Sequence, residues 1–395
     1  MPPQNAKNIQ LLKILLHVGF FVSGISTVII GQLLPILTTK LSINDNQAGY
    51  FFLAQFSGSL FGTFLTNQLG RRGKFIFASA LGCFSMGIGI AVLNFDSFVI
   101  CLLGFTINGI GTGLTLPSIN MLTLELSPQN SASALSVLNF FWGVGAICSQ
   151  PFVDFFTRGN DILMPTLILT VMLFVVGIAI FIQPKELEQK TVQTGDISED
   201  LSSPIWTHPL AWAIALFNFI HVGFESSMGG WLKTYTQRVE ETPLENWFPP
   251  IFLYFVFFVI GRGVAPIFFR FLDENKMLLL SLIIILLGMV ILLSAENLIF
   301  LSIGASVAGF GTSSVFPTNV SRFMKTFGAS ASRRATPLFL CGTLGAAFTT
   351  WFIGFLSTLY GGNLRVGMFV LLGSVIVLIA LQIFLTFQKK MRAVI

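Results

Sequence analysis

GIGTGLTLP, residues 109–117, and GFGTSSVFP, residues 309–317, are one phrase written twice at an offset of 200. The first copy lies in an apolar run over 97–126 and the second in one over 297–326. Each run exceeds the roughly 20 apolar residues that cross a bilayer as a helix. At the same offset Gly145-Ala146 matches Gly345-Ala346, and His17-Val18-Gly19-Phe20 is matched by His221-Val222-Gly223-Phe224. Glycine is common in membrane helices, so one match carries little. Three matches on corresponding helices predict a duplicated chain of two six-helix halves.

Working outward, apolar runs fall at 11–38, 47–69, 74–94, 97–126, 131–156, 163–183, 209–235, 247–271, 276–294, 297–326, 330–360 and 364–388. None alternates with the two-residue period of a barrel strand, so the predicted fold is an all-α membrane protein with twelve transmembrane helices. Composition agrees: the 395 residues are 54% hydrophobic and 10% charged, against roughly 25% charged in a soluble domain. Forty-three Phe outnumber the charged residues, 22 basic and 17 acidic, which excludes disorder as well.

The net charge of +5 comes with no basic cluster longer than Arg71-Arg72-Gly73-Lys74 or Lys389-Lys390-Met391-Arg392. A lipid bilayer is therefore the expected partner and nucleic acid is not. With the N-terminus inside, sixteen basic residues fall on inside segments, and only Lys40, Arg158, Lys233, Arg238 and Arg365 fall outside. That bias predicts both termini in the cytoplasm of a multi-pass protein of the cytoplasmic (inner or plasma) membrane. The N-terminal run has no small-residue cleavage site, so its first helix is expected to stay in the membrane.

The longest polar stretch contains PKELEQKTVQTGDISEDLSSP. It divides the chain into an N-terminal bundle over 1–183, a cytoplasmic linker over 184–208 and a C-terminal bundle over 209–395. Halves duplicated in this way place a substrate site at their interface near the bilayer midplane. Cys83, Cys101, Cys148 and Cys341 lie in apolar runs without metal-ligand spacing, so no disulfide framework, metal or cofactor is expected. No GxxxxGK loop or hydrolase-like setting appears, so neither ATP-driven work nor enzymatic activity is expected.

Twelve spans, the central linker and the repeat resemble the major facilitator superfamily over essentially the whole chain. VLNFFWGVGA from Val137, HVGFESSMGGWLKTY from His221 and the Ile260-Gly261-Arg262 triplet resemble its fucose permease, or sugar-proton symporter, branch. The resemblance implies alternating access. It also implies a cytoplasmic gate in the loop after the second span, where the pattern's end is present as Gly70, Arg71 and Arg72. Asn67 and Gln68 replace the acid and base that precede them, and the first span has no acid. The branch's proton carriers therefore do not transfer by position.

Charge inside a membrane costs at least about 2.5 kcal/mol at the helix centre, which singles out Glu225 and Arg262. Glu225 shares one helical face with Asn218, His221 and Met228, and His221 lies one turn away. The reading is a proton held by Glu225, shared by His221 and biased by Arg262; the alternative is a static ion pair between spans seven and eight. His17, as the repeat partner of His221, lines the same cavity or is simply hydrogen-bonded. Candidate substrate contacts are Gln55, Asn108, Asn120, Asn139, Trp142, Asn218, Trp231 and Asn319, because a sugar needs planar donors and acceptors and an aromatic cover. The same amides could instead join helices. Trp206, Trp212 and Trp247 read as interfacial, and Pro117 and Pro317 as bends.

These features predict proton-coupled transport of a small polar solute, most simply a sugar. The rivals are a proton-coupled drug or metabolite exporter and a non-transporting sensor.

Overall fold

The computed structural model describes residues 3–127, 131–184, 205–239, 249–328 and 335–392. Most of the linker and Trp247 lie outside the described residues.

The described chain is helical: α1 Pro3–Leu41, α2 Asp45–Gly70, α3 Phe75–Ala91, α4 Phe98–Leu126, α5 Ser131–Phe156, α6 Leu163–Phe181, α7 Pro209–Val239, α8 Pro250–Phe268, α9 Glu274–Ser294, α10 Leu298–Thr312, α11 Val315–Phe327, α12 Thr336–Leu359 and α13 Leu364–Arg392. Helices α10 and α11 are two parts of the tenth predicted span, so the described residues make twelve long helices. Ten are long and apolar enough to cross a bilayer by composition alone, with α10 and α11 counted as one. The two outside that group are α2 and α7. Both carry polar residues at mid-helix: Gln55 on α2, and Asn218, His221 and Glu225 on α7.

The chain forms two compact units, Met1–Ile43 with Tyr50–Asp196, and Asn44–Gly49 with Ile197–Ile395. The first five residues of α2 thus cluster with the second unit. Within each unit, packing repeats through glycines that let backbones touch. A Cβ on Gly145 of α5 would overlap the Phe21 carbonyl of α1, and one on Gly345 of α12 would overlap the Phe219 carbonyl of α7. Likewise Gly109 abuts the Gln55 carbonyl and Gly309 the Tyr254 carbonyl.

These contacts fix the repeat register. It is 200 on α4/α10 and α5/α12, 199 on α2/α8 (Gln55 to Tyr254), and 198 on α1/α7 (Phe21 to Phe219). The HVGF match, at an offset of 204, is therefore six residues out of register, about 9 Å along a helix axis. His17 is not the repeat partner of His221; Ser23 is.

Pro117 and Pro317 behave differently. A proline leaves the carbonyl four residues back without its helical donor and crowds it. In α4 the freed Gly113 carbonyl accepts from Thr66 Oγ1 at 2.9 Å, and the helix continues to Leu126. In the second unit the register puts Ala265 where Thr66 stands. The helix ends at Thr312 and restarts at Val315, two residues before Pro317.

Candidate functional site

In the second unit, Asn218, His221 and Met228 are fully buried along one face of α7, while the Glu225 side chain keeps 23% of its exposure. Glycines and small residues on α12 let α7 pack this polar stripe against protein. Asn218 Nδ2 donates to Leu338 O at 2.9 Å and Ser227 Oγ lies 3.1 Å from Thr350 Oγ1. His221 Nε2 is 3.5 Å from Glu225 Oε2, one turn away, and neither imidazole nitrogen has a hydrogen-bond partner among the described residues. The pair is close enough to pass a proton after a small side-chain rotation.

Tyr254, Phe258 and Arg262 are spaced four apart on α8 and form a ladder. The Tyr254 and Phe258 rings stack with centroids 6.2 Å apart, and the Arg262 guanidinium lies 4.2 Å from the Phe258 ring centre. The charge of Glu225 acts on both Tyr254 and Arg262, so the two helix faces look onto one polar locus. No ion pair joins Glu225 to Arg262 within 4.0 Å. The static lock between spans seven and eight is therefore not what the structure shows. Arg262 Nε is buried without a hydrogen-bond partner among the described residues, and the Tyr254 hydroxyl lies beside that of Thr312.

The predicted amides do not converge as a set. Gln55 Nε2 donates to Asn108 Oδ1 at 3.0 Å, and Asn108 Nδ2 donates to Ser26 Oγ at 3.0 Å. That buried chain ties α1, α2 and α4 together through Gln55 Nε2 and both polar atoms of Asn108. Asn120 and Asn139 donate back to their own helices, to Leu116 O at 2.9 Å and Leu135 O at 2.8 Å, and Asn139 is exposed. Trp231 is fully buried with Nε1 on Thr350 O at 2.8 Å, so it holds α7 to α12. Asn319 donates to Ile214 O at 3.3 Å and accepts from Arg322. Trp142 packs its carbonyl on Gly24 and leaves its indole N–H buried without a partner; Asn218 Oδ1 is likewise unpartnered.

His17 belongs to the first unit. Its Nδ1 sits 2.6 Å from Lys13 O and its ring meets Phe141 edge-on at 5.2 Å. The hydrogen-bonded reading of His17 is the one the geometry fits. At the predicted gate, α2 ends at Gly70 and the turn closes with Lys74 N on Leu69 O at 3.0 Å, with Gly73 at φ 66. Arg71 and Arg72 are exposed, and neither guanidinium has an ion-pair partner among the described residues.

Three groups escaped the sequence reading. Tyr254 could have been found by placing it opposite Gln55 in the repeat. Arg322, only 9% exposed, donates to Gln382 Oε1 at 2.6 Å and lies 4.8 Å from the Phe217 ring centre. Its spacing of three from Asn319 was the available signal. Asp45, 5% exposed, takes both Arg238 Nη atoms at 2.6 Å and Ser357 Oγ at 2.5 Å. A cavity of about 1030 Å³ in the second unit, lined by Asp273, Glu274, Lys276, Ser321 and Lys325, contains none of the α7 and α8 site residues.

Two duplicated bundles of apolar helices, with Glu225 and Arg262 set at mid-helix on α7 and α8, define a multi-pass membrane transporter. The chain belongs to the Major Facilitator Superfamily, whose profile matches residues 16–339. This is a family of secondary transporters of small molecules, not of enzymes. The chain is 22% identical to the glucose/mannose transporter GlcP of Bacillus subtilis (strain 168) over 310 residues, covering 75% of this chain and 76% of GlcP. Its fold is similar to that of the nucleoside transporter NupG, with a TM-score of 0.75 at 14% identity, covering 96% of this chain and 99% of NupG. It is also similar to the transporter FucP in an outward conformation, with a TM-score of 0.62 at 17% identity and coverage of 96% and 99%.

Proposed function

We propose that this chain is a proton-coupled secondary transporter of a small polar solute with sugar-like hydroxyls, working by alternating access in the cytoplasmic membrane with both termini inside. The observation that carries the coupling is the His221–Glu225 pair: a carboxylate at mid-helix, 3.5 Å from a fully buried imidazole that has nothing else to bind. The imidazole beside it gives a proton on the carboxyl a second resting place. Arg262 supplies a fixed positive charge at the same locus. The sugar-like substrate is supported by the likeness to GlcP and FucP.

Glu225→Gln removes the proton site and keeps the shape. In proteoliposomes this variant is expected to lose accumulation against a gradient while retaining exchange of solute across the membrane. Unchanged accumulation would end the coupling role.

One observation favours a second reading. Gln55, Asn108, Asn120 and Asn139 all give their amide N–H groups to protein partners, which leaves fewer amide donors for a sugar and suits an exporter of a less hydroxylated solute. Proton counterflow driven by such a solute, with none driven by a sugar, would choose it.

A further inference from the structure

Arg262 is half-buried and, among the described residues, a cation without an anion in contact. Its Nε is buried and unpartnered, its guanidinium rests on the Phe258 ring at 4.2 Å, and no carboxylate of the described residues comes within 4.0 Å. Sheltered charges are ordinarily paired, because an unpaired one forfeits its hydration without compensation. A cation over an aromatic face recovers only part of that loss. The titratable groups near Arg262 are the Glu225 carboxyl and the Tyr254 phenol, so Glu225 is the one carboxyl among them. His221 lies against Glu225. On the α10 side the near neighbour is Thr312, an uncharged hydroxyl beside Tyr254.

The balance at this locus therefore depends on one proton. With Glu225 ionised, its charge offsets that of Arg262 from a distance. With Glu225 protonated, Arg262 is left uncompensated, and a guanidinium presents a planar fork suited to a carboxylate. We infer that Arg262 is the docking point for the carboxylate of the transported solute, so that the substrate is an organic monoanion of the sugar-acid class and not a neutral sugar. This inference rests on Glu225 being the proton carrier. It adds that proton and solute bind cooperatively: protonation frees Arg262, and the anion on Arg262 replaces the charge that Glu225 has lost.

Charge accounting follows. One proton on Glu225 and one negative charge on Arg262 cross together, so the loaded carrier bears the same net charge as the empty one. Uptake is then driven by the pH gradient and not by membrane voltage. A neutral sugar moving with a proton would carry one positive charge inward each cycle and would respond to voltage.

Purified full-length protein in proteoliposomes is tested with D-gluconate, D-glucuronate and D-glucose, reading internal pH with a trapped dye and setting the voltage with a potassium gradient and valinomycin. The expected result is proton entry with a sugar acid, changed less than twofold by an imposed inside-negative voltage, and reduced at least tenfold in Arg262→Gln. Arg262→Lys, which keeps the charge, recovers part of it. Binding is read separately by thermal stabilisation of the detergent-solubilised protein. Either acid is expected to raise the melting temperature more at pH 5.5 than at pH 8, and Glu225→Gln is expected to show the larger shift at both pH values.

Proton entry with glucose and neither acid overturns the anion assignment and leaves proton-sugar coupling standing. Acid binding that is equal at the two pH values and unchanged in both Arg262 variants also overturns it. Sugar-acid uptake with no proton movement and no sensitivity to Glu225→Gln overturns the coupling reading, and the inference with it. Silence of all three solutes in both transport and thermal shift overturns both.

Discussion

The two units share a packing plan and differ in what they do with polar groups. By the glycine register, Gln55 in the first unit stands where Tyr254 stands in the second, Asn108 where Ala308 stands, Ser23 where His221 stands and Thr27 where Glu225 stands. In the first unit Gln55 and Asn108 bond to one another and to Ser26, knitting three helices. In the second, the locus holds an acid, a base, a phenol and a guanidinium, and His221 Nδ1 and Nε2 and Arg262 Nε are buried without hydrogen-bond partners among the described residues. One copy has turned its mid-helix polarity into scaffold and the other has kept it available. The repeat conserves backbone contact, and side-chain chemistry is free to diverge around it.

If that contrast is right, stability and transport separate between the halves. The largest expected stability effect is Asn108→Leu, which leaves the Gln55 amide only its longer bond to Thr27 O, strips the buried Ser26 hydroxyl of its donor and costs about 2–4 kcal/mol. Glu225→Gln should move the unfolding midpoint by much less while abolishing driven accumulation. Thermal unfolding of both variants in one detergent measures the contrast, and equal destabilisation would break it.

Next comes Asp45→Ala, which strips the carboxylate from Arg238 and Ser357 and is expected to cost about 2 kcal/mol. The expectation is discounted because 37% of the Arg238 side chain is exposed. Denaturation monitored by tryptophan fluorescence checks it.

The proline contrast gives a smaller effect. Thr66→Val removes the hydroxyl that caps the Gly113 carbonyl and should cost about 1 kcal/mol, with faster hydrogen exchange in α4 just before Pro117. Ala265→Thr offers the missing hydroxyl to α10 and should slow exchange across Ser313 and Ser314. No change in either would separate the two proline sites from their neighbours on α2 and α8.

The smallest effect is at the start of α9, where Asp273 accepts from the backbone N–H groups of Lys276 and Asn275, each at 3.0 Å. Those bonds, that of Lys276 foremost, hold its carboxyl below the ordinary Asp range. A lowered folded-state value means stability that is fully present above the unfolded value and is lost as pH falls through the folded one. Asp273→Ala should therefore cost about 1 kcal/mol near neutral pH and less once the carboxyl is protonated, read from unfolding midpoints across an acid pH series.

The fold was legible because membrane helices announce themselves by length and apolarity, and a duplicated glycine phrase marks where backbones must touch. The charged locus was legible for a related reason: Glu225 and Arg262 are too costly in a bilayer to be incidental. What each amide binds was not legible. Asn108 and Asn218 look alike in sequence, and only three-dimensional neighbours decide that the first meets Gln55 and Ser26 while the second keeps a free oxygen. The HVGF match misled because four residues repeated by composition can outweigh, to the eye, a register set by glycine contacts. The break before Pro317 depends on position 265, which is remote from it in sequence.

The placement of Asn44–Gly49 bears on how the gene can be cut. A fragment beginning at Ile197 would carry Arg238, Ser357 and Trp351 but lack the acid, the amide and the glycine that meet them. Such a half should be recovered poorly when expressed alone. Adding a short peptide spanning 43–50 in trans should rescue part of its yield, so the unit of inheritance and the unit of folding differ here by six residues.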